Sequence, residues 1–255
     1  MAFFLKMYKV ASIILFILTY SSLYSVELKK LIVKENDKIG FSEIGINVSN
    51  INFKNDINLA SAAKNQVILN GSGVTAGDYD KDGLIDLYFA GLEKSNKLYK
   101  NLGGFTFSDQ TQKHIALNKY ISTSAVFADI NGDTWLDLLV GTLNSGIIIF
   151  QNKQGKTFER VKHNINTDIN KSIYGIALTD LEHDGDLDIY ISTYRNYSVR
   201  NNNNISFETK FINGKQTIDY GIDIKTNKKI KGDQFYLSRN GKIFEMGVSD
   251  YLLIN

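Results

Sequence analysis

From residue 73 onward, short apolar runs alternate with tight polar clusters, and the alternation predicts strands joined by turns. Leu87-Tyr-Phe-Ala, Leu138-Leu-Val-Gly and Ile189-Tyr-Ile-Ser each follow an aspartate-rich cluster directly. They are short, rich in β-branched and aromatic residues, and bounded by turn formers, which is the pattern of buried strands. Gly73-Val-Thr-Ala, Ser124-Ala-Val-Phe and Gly175-Ile-Ala-Leu stand before the same clusters. Further on, Lys97-Leu-Tyr-Lys, Ile147-Ile-Ile-Phe and Gln234-Phe-Tyr-Leu each precede a glycine-containing turn and a phenylalanine. Each unit therefore reads as strand, Asp loop, strand, loop, strand, turn, strand. Beyond the N-terminus no segment shows helical periodicity.

The polar clusters repeat without gaps. They are Asp78-Tyr-Asp80-Lys-Asp82-Gly83-Leu-Ile-Asp86, Asp129-Ile-Asn131-Gly-Asp133-Thr134-Trp-Leu-Asp137 and Asp180-Leu-Glu182-His-Asp184-Gly185-Asp-Leu-Asp188. Their starts are 51 residues apart in both intervals (129−78 and 180−129). Four antiparallel strands in about fifty residues is the size of one propeller blade. The expected fold is thus all-β, with about three four-stranded blades in an open or incomplete propeller. Three blades cannot readily close a ring, so self-association or a partner chain would be needed to cover the open edges.

A second landmark keeps step with the first. Gly104-Phe-Thr-Phe107, Gly155-Lys-Thr-Phe158 and Gly241-Lys-Ile-Phe244 share a glycine three residues before a phenylalanine. Phe107 and Phe158 each lie 21 residues after the last aspartate of their loop, and Phe244 lies 56 after Asp188. The third repeat is therefore expected to carry about 35 extra residues, within about 195–232. Phe41 reads as one more such landmark ahead of the first loop.

Carboxylates at positions 1, 3, 5 and 9 of a tight loop can converge on one point. Position 7 can add a backbone carbonyl, and glycine at position 6 permits the sharp turn. Several hard, charged oxygen ligands suit Ca²⁺ better than Mg²⁺ or zinc. The candidate ligands are Asp78, Asp80, Asp82 and Asp86; Asp129, Asn131, Asp133 and Asp137; and Asp180, Glu182, Asp184 and Asp188. The plainer alternative is a set of polar turns whose carboxylates cap backbone amides. Mutual repulsion of that many carboxylates, repeated three times, favours a bound cation. The second loop is expected to be the weakest, since Asn131 lowers its charge and β-branched Thr134 stands where glycine would turn freely.

The N-terminus changes the picture of where the protein works. Lys6 and Lys9 precede an apolar run over residues 10–20, and the small residues Ser21, Ser22 and Ser25 follow. This is the pattern of a secretory signal peptide over 1–25. The rival, a permanent anchor, has an apolar run well short of the ~20 residues a spanning helix needs. Cleavage after Ser25 removes two of the 29 basic residues and none of the 27 acidic ones, leaving 27 of each. A neutral mature chain argues against nucleic acid or an anionic membrane as partner. The mature repeat region, 26–255, is expected to be secreted, periplasmic or on the cell surface, with no membrane span. The chain has no cysteine, which excludes disulfides, thiolate zinc sites and a thiol nucleophile. It also has no proline, where about a dozen would be usual.

Residues 73–107, reading GVTAGDYDKDGLIDLYFAGLEKSNKLYKNLGGFTF, resemble an FG-GAP/VCBS repeat of the kind that builds integrin α-type propellers. The pairing of the Asp loop with LYKN and G-x-x-F is most similar to the cartilage acidic protein (ASPIC/UnbV-like) branch. The resemblance implies one blade per repeat and calcium in the three loops. Such family propellers typically have about seven blades, whereas three repeats are legible here.

Besides a truncated structural fragment of a longer propeller with no function of its own, two function classes remain. One is a binding module that presents calcium-stabilised loops to a protein or glycan outside the cytoplasm. The other is a polysaccharide lyase or hydrolase on the same scaffold. The three histidines, His114, His163 and His183, fall at unrelated points of the repeat, and no nucleophile elbow or P-loop is present. The expectation is a non-enzyme. Lys231-Gly232-Asp233 resembles an adhesion tripeptide but is too short to carry weight, and Asn47, Asn70, Asn196 and Asn204 sit in N-x-S sequons.

Overall fold

A computed structural model describes residues 42–255 except 144, 164, 166–170, 196–204, 226 and 233–234. From Ile44 to Asn255 the described residues belong to one unit. The expected signal peptide, Phe41, Asn196, Asn204, Asp233 and Gln234 lie outside the described residues.

Each of the first two repeats folds as expected. β1 (Val74–Gly77), β2 (Asp86–Phe89), β3 (Lys97–Asn101) and β4 (Phe107–Asp109) form an antiparallel sheet in chain order. β5 (Ser122–Ala128), β6 (Asp137–Thr142), β7 (Ile147–Asn152) and β8 (Phe158–Arg160) repeat that order. The registers match as well: Leu87 faces Tyr99 and Tyr88 faces Leu98, while Leu138 faces Phe150 and Leu139 faces Ile149.

The sheets stack face against face, which explains why the strands after the Asp loops read as unbroken apolar runs. Along β6, Leu138 and Val140 enter a cluster with Tyr88, Leu98 and Phe127 of the first two blades. Leu139, on the opposite face, packs with Ile149, Ile173 and Ile191 of the second and third. β6 is buried along its whole length.

The third blade departs from expectation. β9 (Lys171–Thr179) and β10 (Asp188–Arg195) pair as the first two strands, but β16 (Tyr251–Leu253) takes the third place. Gln234-Phe-Tyr-Leu and Phe244 are not its counterparts. β14 (Phe235–Leu237) and β15 (Ile243–Glu245) form a separate hairpin. β11 (Ile205–Ile212), β12 (Lys215–Asp223) and β13 (Lys228–Lys231) form a three-stranded meander of their own.

The physical reason is register. Leu253 faces Ile189 in the place that Tyr99 and Phe150 hold opposite Leu87 and Leu138. Asn255 then binds Asp188 across 67 residues, where Asn101 and Asn152 bind Asp86 and Asp137 across 15. The inserted stretch is therefore 52 residues (67−15), against the 35 expected. The glycine–phenylalanine landmark misled because a β-hairpin inside the insertion carries the same turn chemistry.

Among the described residues helices are few and short: one turn at Ile46–Ser49, a six-residue helix at Leu59–Lys64 capped by the Asn58 side chain, and a 3-10 turn at Gln66–Asn70. None is long enough to show periodicity in sequence. The last two bury Ala62, Val67 and Ile68 against Leu143, Ile121 and Tyr174, and Tyr174 donates to the Val67 carbonyl (2.8 Å). This segment fastens the second and third blades at the ends of the inner strands remote from the Asp loops.

Candidate metal centre

The three loops share one backbone path, and their own carboxylates set it. The first aspartate accepts two N–H bonds from four and five residues on. Asp78 takes Asp82 (3.1 Å) and Gly83 (2.9 Å), Asp129 takes Asp133 (3.1 Å) and Thr134 (2.7 Å), and Asp180 takes Asp184 (3.1 Å) and Gly185 (3.0 Å). The position-5 aspartate accepts the N–H two residues on, from Leu84, Trp135 and Asp186.

These bonds force positive φ at positions 4 and 6. Position 4 is Lys81, Gly132 or His183 (φ 57°, 73° and 62°), and position 6 is Gly83, Thr134 or Gly185 (87°, 72° and 101°). The second loop has moved its glycine to position 4 and left Thr134 in the left-handed region, at a strain of about 1–2 kcal/mol.

The ninth residue is a buried clasp. Asp86, Asp137 and Asp188 each accept one N–H from position 2 of their loop: Tyr79 (3.2 Å), Ile130 (3.4 Å) and Leu181 (2.8 Å). Each accepts a second from an asparagine: Asn101 (2.8 Å) and Asn152 (2.8 Å), which end the third strands of their blades, and Asn255 (3.0 Å), two residues past the end of β16. These asparagines escaped the sequence reading as site residues, although the recurring N after LYK and IFQ was the available signal.

Desolvation pushes the Asp86 carboxyl up to about 6 and outweighs its two N–H bonds, and Asp137 is raised for the same reason. In the third loop, Glu182 hydrogen-bonds Asp188 and is raised by it, while the Leu181 and Asn255 amides hold Asp188 low. Two carboxyl groups that meet in this way need a proton or a cation between them.

Among the described residues, Asp78, Asp80 and Asp86 are the acidic group whose ligand atoms come within 4.8 Å of one another. Asp80 Oδ1 is buried and has no hydrogen-bond partner. An orphaned carboxylate oxygen beside two more carboxylates fits a hard divalent cation. The calcium implied by the repeat is therefore compatible with the residues present. Asp82, expected in the same set, is instead turned to Lys100 Nζ (3.0 Å), which also pairs with Asp80 Oδ2. Asp129, Asn131 and Asp133 are linked among themselves, Asn131 Nδ2 donating to Asp133 (3.1 Å).

The first and second loops lean on one another. Asn152 Nδ2 donates to the Tyr79 carbonyl (2.8 Å), and Lys81 Nζ reaches Thr134 Oγ1 (2.5 Å) and lies 4.3 Å from the centre of the Trp135 ring. At Gly155 a Cβ would lie 2.8 Å from Asp80 Cα, so the turn of the second blade presses directly on the first loop. Trp135 packs here between Lys81 and the turn at Gly155.

Residues 78–140 and, one period later, 129–191 match the family model described as an FG-GAP-like repeat. Both windows open on the first aspartate of a loop. Residues 78–191 carry two FG-GAP-like repeats. No curated protein matches it. The FG-GAP-like repeats, together with the stacked four-stranded sheets, make the described unit a β-propeller-type module.

The histidines stay scattered: His114 lies against Phe150 with ring centres 6.2 Å apart, His163 bonds the Ile147 carbonyl (3.1 Å), and His183 sits inside the third loop.

Proposed function

We propose that the protein is an exported, calcium-binding FG-GAP-like repeat module that recognises a protein or glycan outside the cytoplasm and is not an enzyme. The observation that carries the calcium reading is the unpartnered Oδ1 of Asp80, a member of the Asp78–Asp80–Asp86 group whose ligand atoms lie within 4.8 Å of one another. Asp129 with Asp133 and Asp137, and Asp180 with Glu182, Asp184 and Asp188, supply the same chemistry in the other two loops, Asn131 adding a neutral oxygen. The pairing of the Asp loop with LYKN and G-x-x-F supports the cartilage acidic protein branch of the family. Support for recognition comes from the inserted meander, whose β11–β12 turn leaves Phe211 and Ile212 exposed beside Asn213 and Gly214. Scattered histidines support the non-enzymatic reading.

The test is thermal unfolding in calcium and in excess chelator. A cation held by the folded state at a hundred times its Kd adds about 2.7 kcal/mol per site, on the order of 5–10 °C for a chain of this size. A rise with calcium that magnesium does not reproduce supports the reading. A cooperative melt indifferent to calcium would falsify it and leave the repeat fold alone.

A further inference from the structure

Lys100 lies on β3, one residue before the asparagine whose amide clasps Asp86. Its ammonium pairs with Asp80 Oδ2 and stands 3.0 Å from Asp82 Oδ2. Asp82 Oδ1 is already taken by the Leu84 N–H (2.9 Å), so both oxygens of Asp82 are engaged and Asp82 stays outside the Asp78–Asp80–Asp86 cluster. The same place in the other repeats, one residue before Asn152 and Asn255, holds Gln151 and Ile254. An internal cation is thus peculiar to the first loop. The second loop has a neutral amide there, and the third has an exposed apolar side chain.

We infer that Lys100 sets the affinity of the first loop, acting as a built-in cation that competes with calcium for Asp80 and Asp82. This rests on the calcium reading above. Its ammonium cancels one negative charge and withholds one carboxylate, and calcium affinity in oxygen-ligand loops follows ligand charge and number. The same ammonium relieves the repulsion among the carboxylates, so the first loop keeps its shape without metal. The first loop therefore binds more weakly than its four aspartates alone would.

The experiment is a calorimetric calcium titration of the full chain with Lys100→Gln, Lys100→Arg and Asp78→Asn/Lys100→Gln variants. Lys100→Gln is expected to tighten one site about tenfold. Lys100→Arg should keep the wild-type isotherm, because the charge is retained. In the Asp78→Asn/Lys100→Gln double variant the gain should vanish, which assigns it to this loop. An unchanged or weakened isotherm for Lys100→Gln, in a chain whose melt shows it folded, overturns the inference and leaves the calcium reading standing. Absence of calcium binding in wild type and variants alike overturns both. Should Lys100→Gln not fold, Lys100→Met, which removes the charge and keeps the stem, gives the same comparison.

Discussion

On the first blade, the sheet face turned away from the second is covered by the chain that precedes it. Phe53 packs 4.9 Å from Phe89, the Asn52 N–H reaches the Tyr99 hydroxyl (3.2 Å), and Asn50 Nδ2 donates to the Phe107 carbonyl (3.2 Å). On the third blade the corresponding outward face carries Tyr190 and its partner Leu252, which are 46% and 53% exposed. Their counterparts one blade earlier, Leu139 and Ile149, are buried beneath the third blade. A stacked repeat gains most of its stability at the interface with its neighbour, so an end blade needs a cap. One end of this stack has its cap in the same chain, and the other presents apolar side chains to solvent.

Three substitutions probe that contrast. Leu139→Ala, in the middle of the stack, should lower stability by about 2–5 kcal/mol in denaturant unfolding, because a cavity opens between two packed sheets. A loss below about 1 kcal/mol would mean that the second and third blades do not bear on each other. Phe53→Ala should cost about 1–2 kcal/mol, since a half-buried ring and its contact with Phe89 are lost. No change would show that the covering segment lies on the blade without stabilising it. Leu252→Ser should stay within about 0.5 kcal/mol, as expected of an exposed position. A loss of several kcal/mol that grows with protein concentration would instead reveal a second copy seated on this face.

The loops were the most legible part of the molecule. Their spacing gave the blade period, and Thr134 of the second loop does take the strained left-handed conformation. Stacking was legible too, because a strand buried on both faces must read as a continuous apolar run, as β6 does. Three features were hidden. The third strand of the last blade follows a 52-residue excursion, and a local turn signal inside that excursion imitated the expected landmark. The clasp of Asp86, Asp137 and Asp188 is made by backbone amides, and the recurring asparagine that supplies one of them is the trace it leaves in sequence. Lys100 did not stand out in LYKN, since only the antiparallel register brings it over Asp80.

The asparagine clasp also has a place in time. The first two loops are finished by an amide 15 residues downstream, whereas the third waits for one 67 residues away. Closing the longer span costs about 1.3 kcal/mol more in chain entropy. During synthesis the first blade can set while the insertion is still being made, and the most acidic of the three loops is the last to be fastened. Folding should therefore run from the N-terminal blade toward the C-terminal one, with the third blade as the late and reversible step.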